Sequence, residues 1–362
     1  MTEGPGPFTS APLISVVMAA YNGAGLIEDT IASVLAQDLD DFELIVVDDA
    51  STDDTLERLR ALSDPRVRVI AAEVNRGPVV ARNTAFAAAQ GRFIVGLDQD
   101  DLCHRDRFST QHAWLEAHPD AVLVASAVDL LESGVIRPPR APVRSTPGLI
   151  DWRLQFGNPL VWSSVMFRAD AVRRLGVFER VDRRYAEDFD LYHRLRALGT
   201  LARIDRPLVT YRIHPGGASR RYTQAMDHSA TAVLAEVYAA LFGADADQAA
   251  RLVLIHFTGG VPVADRATLD RLARLVGVVH DRFCATCPMT PVDRALIIAE
   301  YARLWWRMAD ASVRSGAVSL DEAAAACPTG LRARHPSPRR AFGSVVIGTA
   351  RALFSRWKAF AL

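Results

Sequence analysis

Lysine is almost missing from this chain: Lys358 is the only one, so 41 of the 42 Lys and Arg residues are arginine. A G+C-rich coding sequence would produce such a bias. No Gly-x-x-x-x-Gly-Lys-Ser/Thr segment occurs, and no Gly-x-Gly-x-x-Gly turn follows the first apolar run. A P-loop nucleotidase and a dinucleotide oxidoreductase are therefore both disfavoured. Net charge is lacking as well, with 42 acidic against 42 basic residues, so bulk electrostatics gives no argument for a nucleic acid partner. No apolar run reaches the roughly 18 residues that suggest a transmembrane helix. Met1–Pro12 shows no basic segment leading into an apolar run, so no signal peptide is expected and the protein is read as cytoplasmic. Cysteine is scarce too. Cys103 and Cys327 stand apart, and Cys284 and Cys287 form a Cys-x-x-Cys that follows His280, but no second tight pair completes a zinc site. Inert thiols are expected.

What is present suits a folded chain of about two domains: half of the 362 residues are apolar and 23% are charged. Leu13–Ala19, Phe42–Val47, Arg66–Ile70 and Gly91–Leu97 are short apolar runs of buried-strand type. Between them lie helical stretches. Leu26–Leu35 carries an apolar stripe, and Thr52–Leu62 has Ser51 as a cap with Asp53 and Asp54 near its positive end. Pro78–Gln90 is opened by Gly77-Pro78 and closed by Gly91. Such alternation predicts an α/β fold, with a mainly parallel sheet flanked by helices on both faces.

In such sheets ligands bind beyond the carboxyl ends of the strands. Three of these ends carry polar sequence: Tyr21-Asn22-Gly23, Asp48-Asp49, and Asp98-Gln99-Asp100-Asp101. Carboxylates packed this closely repel one another unless a cation sits among them. Asp98 and Asp100, two apart on an extended backbone, face one side. A hard divalent ion held by oxygen ligands, and partly by substrate phosphates, suits them; a solvated turn is the bland alternative.

The set Val16-Val17-Met18-Ala19-Ala20-Tyr21-Asn22, Asp48-Asp49-Ala50-Ser51-Thr52-Asp53, Asn75-Arg76-Gly77, Ala81-Arg82-Asn83 and Leu97-Asp98-Gln99-Asp100-Asp101 resembles family 2 glycosyltransferases. The resemblance continues through Ala186-Glu187-Asp188-Phe189-Asp190-Leu191-Tyr192 and Tyr211-Arg212-Ile213-His214-Pro215-Gly216, covering roughly residues 12 to 217. It implies the GT-A fold, Rossmann-like, and an inverting, metal-dependent, hexosyltransferase-type enzyme that uses a nucleotide-diphosphate sugar. By the same resemblance Asp100 ligates Mg²⁺ or Mn²⁺, His214 closes over the diphosphate and contacts the metal, and Asp98 holds the ribose side. Ala19, Tyr21, Asp49, Arg82 and Gln99 complete the nucleotide-sugar site, with Asp49 on the base and Tyr21 packed against it. Asp101 is either an outer carboxylate or a helix-starting residue. Arg82 and Arg212 are candidates for phosphate or base contact, since guanidinium matches phosphate oxygens. Asp188 takes the position of the general base, with Glu187 orienting it or touching the acceptor. Inversion by direct displacement needs one base, unlike the paired acids of retaining glycoside hydrolases.

Residues 1–218 are thus expected to form the catalytic domain and 219–362 a helical C-terminal one. Leu131–Pro159, rich in Pro, Arg and Gly, is read as acceptor-side loops, and Gly216-Gly217-Ala218-Ser219 as a mobile lid. Trp162 is read either as core or as part of the sugar site. Ser337–Leu362 combines arginines with aromatic and aliphatic residues and has no acid, which suits a helix on an anionic membrane face or a subunit contact. Expected partners are a UDP- or dTDP-linked sugar and a glycan, lipid-linked or small-molecule acceptor, in the making of a bacterial surface or secondary glycan. Two competing readings are a sugar nucleotidyltransferase and a non-catalytic glycan-binding relative. The first would normally show a basic, glycine-rich first loop, which Ala19–Gly23 is not; the second would be supported by loss of Asp100 or Asp188, and both are present.

Overall fold

The computed structural model describes residues 11–138, 144–217, 221–329 and 331. They divide between two compact units, Met1–Ile150 with Asn158–Ser229, and Asp151–Gly157 with Ala230–Leu362.

The first unit is built on a nine-stranded sheet. Its strands are β1 (Ile14–Ala20), β2 (Phe42–Asp48), β3 (Val67–Ala71), β4 (Phe93–Gly96), β5 (Leu102–Cys103), β6 (Ala121–Glu132), β7 (Val135–Arg137), β8 (Met166–Arg168) and β9 (Thr200–Ile213). The order is β3-β2-β1-β4-β8-β6-β9-β5, with β7 paired to β6. From β3 to β4 the strands run parallel, Ile14 lying opposite both Phe42 and Phe93. Beyond β4 the sheet is mixed: β8 is antiparallel to β4 and β6, while β9 is parallel to β6. β2 is buried throughout and β1 nearly so, which explains why both read as unbroken apolar runs rather than alternating ones. Helices α1 (Ile27–Leu35), α2 (Thr55–Arg60), α3 (Pro78–Ala88), α4 (Arg107–Ala117), α5 (Pro147–Leu154), α6 (Ala169–Arg173) and α7 (Glu187–Leu195) connect these strands. One core joins β1, β2 and β4 to Ile27, Ile31 and Val34 of α1 and to Phe108 and Leu115 of α4.

The pairing that shapes the site is short. β5 is only two residues long, antiparallel to β9 with Leu102 opposite Thr210. Continuing that register backward along one strand and forward along the other brings Asp98–Asp101 beside Arg212–His214.

Several expected boundaries move. The helix read from Thr52 begins at Thr55, and Ser51 does not cap it: its hydroxyl accepts the Asn22 N–H at 3.0 Å, while its own N–H reaches Asp48. The turn before the helix is occupied by Asp53, whose carboxylate binds the N–H and hydroxyl of Thr55. The Leu131–Pro159 stretch, read as loops, contains the end of β6, the strand β7 and the helix α5. Trp162 sits on a 3-10 turn, Trp162–Ser164, and is buried. A helix start at Asp101 is also set aside, since α4 begins at Arg107.

The second unit is helical. Most of α8 (Thr223–Phe242) belongs to it, with α9 (Ala246–Leu252), a π-helical turn Val253–Thr258, α10 (Arg266–Thr286), α11 (Pro291–Ser315) and α12 (Leu320–Ala326). Thr290 with Asp293, and Ser319 with Glu322, form capping boxes, and Gly316 ends α11 at φ 81°. Trp152 and Phe156 pack here, with ring centroids 4.7 Å apart, and Trp152 Nε1 donates to His280 Nδ1 at 3.0 Å. Cys284 Sγ lies 3.5 Å from His280 Nε2, and all four cysteines are free. No described helix is long and apolar enough to cross a membrane. Ser337–Leu362 lies outside the described residues.

Candidate active site

The loops after β1 and β2 are cross-tied. Asn22, at φ 49°, accepts the Thr52 N–H with its side-chain oxygen at 2.8 Å, and the Gly23 N–H reaches Thr55 Oγ1 at 2.8 Å. Tyr21 and Gln99 bind reciprocally: the Tyr21 N–H donates to Gln99 Oε1 and Gln99 Nε2 donates to the Tyr21 carbonyl, both at 3.0 Å. A Cβ on Gly23 would push that carboxamide away from its place against Tyr21. The Tyr21 ring is exposed at the rim, and Ala19, half-buried near the end of β1, offers only backbone and a methyl. Asp49 is buried, its carboxylate accepting the N–H groups of Arg76 at 2.9 Å and Gly77 at 2.7 Å.

Asp98, Asp100 and Asp101 converge as the β5–β9 pairing requires. One oxygen from each lies within 4.8 Å of the others. Asp101 is fully buried; its Oδ1 accepts the Arg212 N–H at 2.9 Å, while Oδ2 has no partner among the described residues. Burial and the two neighbouring carboxylates hold its pKa well above the usual range. Asp98 is pushed up to about 6, by burial first and then by Asp100 and Glu187, against the pull of Arg82. His214 Nε2 stands 2.8 Å from Asp100 Oδ2. Three acidic oxygens, one of them buried and unpartnered, with an imidazole alongside, fit a hard divalent cation. Arg212 is tied locally: Nε to the Asp100 carbonyl, Nη2 to the Leu26 carbonyl and Thr30 Oγ1, and Nη1 to Asp29.

A second cluster adjoins the first through Arg82, which is buried on α3. Its guanidinium lies 5.0 Å over the Trp162 ring. Nε meets both oxygens of Glu179 at 2.9 and 3.0 Å, Nη1 reaches Asp98 Oδ1 at 3.5 Å, and Nη2 binds Glu187 Oε1. All three guanidinium nitrogens thus end on acidic side chains. The Trp162 indole reaches this place because β4 ends in glycine; a Cβ on Gly96 would stand 2.7 Å from its Cε2.

Asp188, half-buried at the start of α7, follows Glu187. Asn158 Nδ2 donates to Asp188 Oδ2 at 2.7 Å, and the Phe189 N–H donates to Oδ1 at 2.7 Å. Burial and then Glu187 push its pKa up to about 7, with Phe189, Arg82 and Asn158 pulling the other way. Asp190, further along the same turn, is committed to Arg180 and Arg194.

Of the residues singled out in the sequence, Ala19, Tyr21, Asp49, the acidic cluster and His214 lie at or just beyond the ends of β1, β2, β4 and β9, while Arg82 on α3 links Asp98 to Glu187, next to Asp188, at the start of α7. Sequence reasoning missed Glu179 and Tyr192. Glu179 is fully buried, with its carboxyl pushed up to about 8 by burial in spite of Arg82. Tyr192 is fully buried, its hydroxyl among the same charges and without a hydrogen-bond partner among the described residues. The available signal for Glu179 was an acid directly after the apolar pair Val177-Phe178, with no motif to support it.

The chain has counterparts among known proteins. The family model for Glycosyl transferase family 2 matches residues 15–176. The UDP-Glc:alpha-D-GlcNAc-diphosphoundecaprenol beta-1,3-glucosyltransferase WfaP of Escherichia coli is 30% identical over 210 residues, which are 57% of this chain and 80% of that protein. The succinoglycan biosynthesis protein ExoO of Rhizobium meliloti is 47% identical over 103 residues, 28% of this chain and 30% of its own length, so less than a third of ExoO is spanned. Among solved structures, S. aureus TarS 1-349 aligns with a TM-score of 0.53 at 16% identity, over 95% of this chain and 91% of that one. That likeness concerns the fold, which is GT-A. With four-fifths of WfaP covered, the chain belongs to glycosyltransferase family 2.

Proposed function

We propose that this glycosyltransferase inverts configuration, moving a sugar from a nucleotide-diphosphate donor to an acceptor hydroxyl with a divalent metal bound. The observation that carries the reading is Asp188: one half-buried carboxylate at a helix start, its pKa raised to about 7, set apart from the acidic cluster. A general base works best when its pKa lies near the operating pH. Direct displacement needs one such group, and here the neighbouring carboxylates of Glu187 and Asp190 are both engaged by arginines.

Asp98, Asp100, Asp101 and His214 would hold Mg²⁺ or Mn²⁺. When bound, the cation supplies Lewis-acid neutralisation of the departing diphosphate. Asp49, with the tied Tyr21–Gln99 pair and Ala19, forms the edge on which a nucleotide base and ribose would rest. Asp188 accepts the proton of the acceptor hydroxyl as it attacks the anomeric carbon, and Asn158 keeps its Oδ2 oriented while that proton arrives. The engagement of Arg82 by three acidic side chains favours a role in holding them over direct phosphate contact.

The donor is UDP- or dTDP-linked and the acceptor a lipid-linked glycan; WfaP, by its name, pairs UDP-Glc with a diphosphoundecaprenol-linked sugar. A cytoplasmic enzyme touching the membrane through the basic Ser337–Leu362 segment would meet such an acceptor. The test is a panel of UDP- and dTDP-sugars with Mg²⁺ or Mn²⁺ and a polyprenyl-diphosphate sugar, the product's anomeric configuration being read by NMR. Inverted product is expected. Retained configuration, or transfer undiminished by EDTA, would overturn the reading.

A further inference from the structure

Glu179 takes no part in the reaction proposed above, yet it is fully buried and grips the guanidinium shared by both carboxylate clusters. Its grip is doubled through the next residue of α3. Asn83 Nδ2 donates to the Glu179 carbonyl at 2.9 Å, and the Glu179 N–H donates to Asn83 Oδ1 at 3.0 Å. Side chain and backbone of Glu179 are thereby both locked to α3. With Nε clamped and the Trp162 ring against its face, the planar fork of Arg82 has one orientation left. In it Nη1 faces Asp98 and Nη2 faces Glu187.

We propose that Glu179 is a positioning residue: by fixing Arg82, it sets the separation between Asp98 and the Glu187–Asp188 pair. This rests on the functional reading, in which Asp98 lies on the donor side and Asp188 on the acceptor side. A transferase needs those sides in register, because a misplacement of about 1 Å can cost about a hundredfold in rate. Lysine could not replace Arg82, since an ammonium cannot hold three acidic side chains in a fixed planar fork.

The test uses the full chain with Glu179→Ala, Glu179→Asp, Glu179→Gln, Arg82→Ala and the double variant Arg82→Ala/Glu179→Ala. Measured on each preparation are kcat and KM, Mn²⁺-dependent UDP binding by calorimetry, and the folded fraction by thermal scan. Glu179→Ala is expected to lower kcat per folded molecule by about thirtyfold or more, with UDP affinity and donor KM changing far less. Glu179→Gln, which keeps an acceptor for Nε, should recover most of the loss, and Glu179→Asp, which draws the guanidinium back, should not. In the Arg82→Ala background, Glu179→Ala should cost nothing further, since coupled residues are non-additive. Full additivity, or a loss that merely tracks the unfolded fraction, would overturn the proposal, as would an Asp variant equal to the wild type. A readout independent of turnover separates this proposal from the functional reading: the Arg82 Nε–H resonance should be protected from exchange in the wild type and in Glu179→Gln, and exposed in Glu179→Asp. If that protection is equal in all three, Glu179 does not position Arg82, whatever the enzyme transfers.

Discussion

Asp188 and Asn158 meet at 2.7 Å, the carboxamide donating to Oδ2 of a carboxylate whose Oδ1 already accepts the Phe189 N–H. Both hydrogen bonds favour the charged form, while burial and Glu187 oppose it. The opposing effects leave a group poised to take up a proton near neutrality.

Replacing Asp188 with Asn should therefore leave nucleotide binding within a few fold of the wild type and reduce transfer by about a hundredfold or more. Calorimetry and turnover on one preparation check both halves. Glu187 and Asp190 should not rescue the variant, because Arg82 holds the first while Arg180 and Arg194 hold the second. Near-normal transfer would place the base elsewhere.

The pH profile follows from the same residue. A base must be deprotonated to work, so kcat/KM should fall as pH drops through about 7, the value to which Asp188 is pushed. Asn158→Leu removes a hydrogen bond that favours the carboxylate, so its acidic limb should move to higher pH. A profile flat from pH 6 to 8 in the wild type would contradict the assignment.

Asp100→Asn should weaken metal-dependent binding of the nucleoside diphosphate and transfer together, each by about tenfold or more, since the strength of a hard-cation site follows the charge of its ligands. His214→Ala should be milder, because it removes one imidazole and leaves the three acids. Titration with Mn²⁺ in the presence and absence of UDP reads both variants. Unchanged affinity in EDTA would remove the metal from this site.

Much of the first unit could be read directly from the residues. β1 and β2 are buried on both faces, so they appear as plain apolar runs, and the helix α3 announces itself with Gly77-Pro78. What escaped depends on distant pairing. β5 is two residues long and exists because β9 lies beside it, and the start of α2 is set by loop ties between Asn22, Ser51, Asp53 and Thr55 rather than by a local cap. In the site, the residues within family motifs stand out in the sequence. Glu179 could not, because its meaning comes from Arg82, far away in sequence, and no pattern around Val177-Phe178 marks it.

The last prediction concerns stability. Glu179 has an ordinary value of 4.5 and is held near about 8 in the folded protein, with burial the largest cause. A carboxyl whose pKa rises on folding binds its proton more tightly in the native state. Its contribution to stability is thus complete below about 4.5 and is lost as pH rises through about 8. Asp188 acts in the same direction over a narrower range, from its ordinary 3.8 to about 7. The metal-free protein should accordingly melt at a lower temperature at pH 8.5 than at pH 5.5, and Glu179→Gln, which carries no titrating proton, should flatten that dependence. Saturating Mn²⁺ with UDP should raise the melting temperature most at the alkaline end, where protons compete least with the cation for its ligands. Thermal scans of both proteins across that range, with and without ligand, make the comparison. A melting temperature that rises with pH in the metal-free wild type would mean that Arg82 keeps Glu179 ionised throughout.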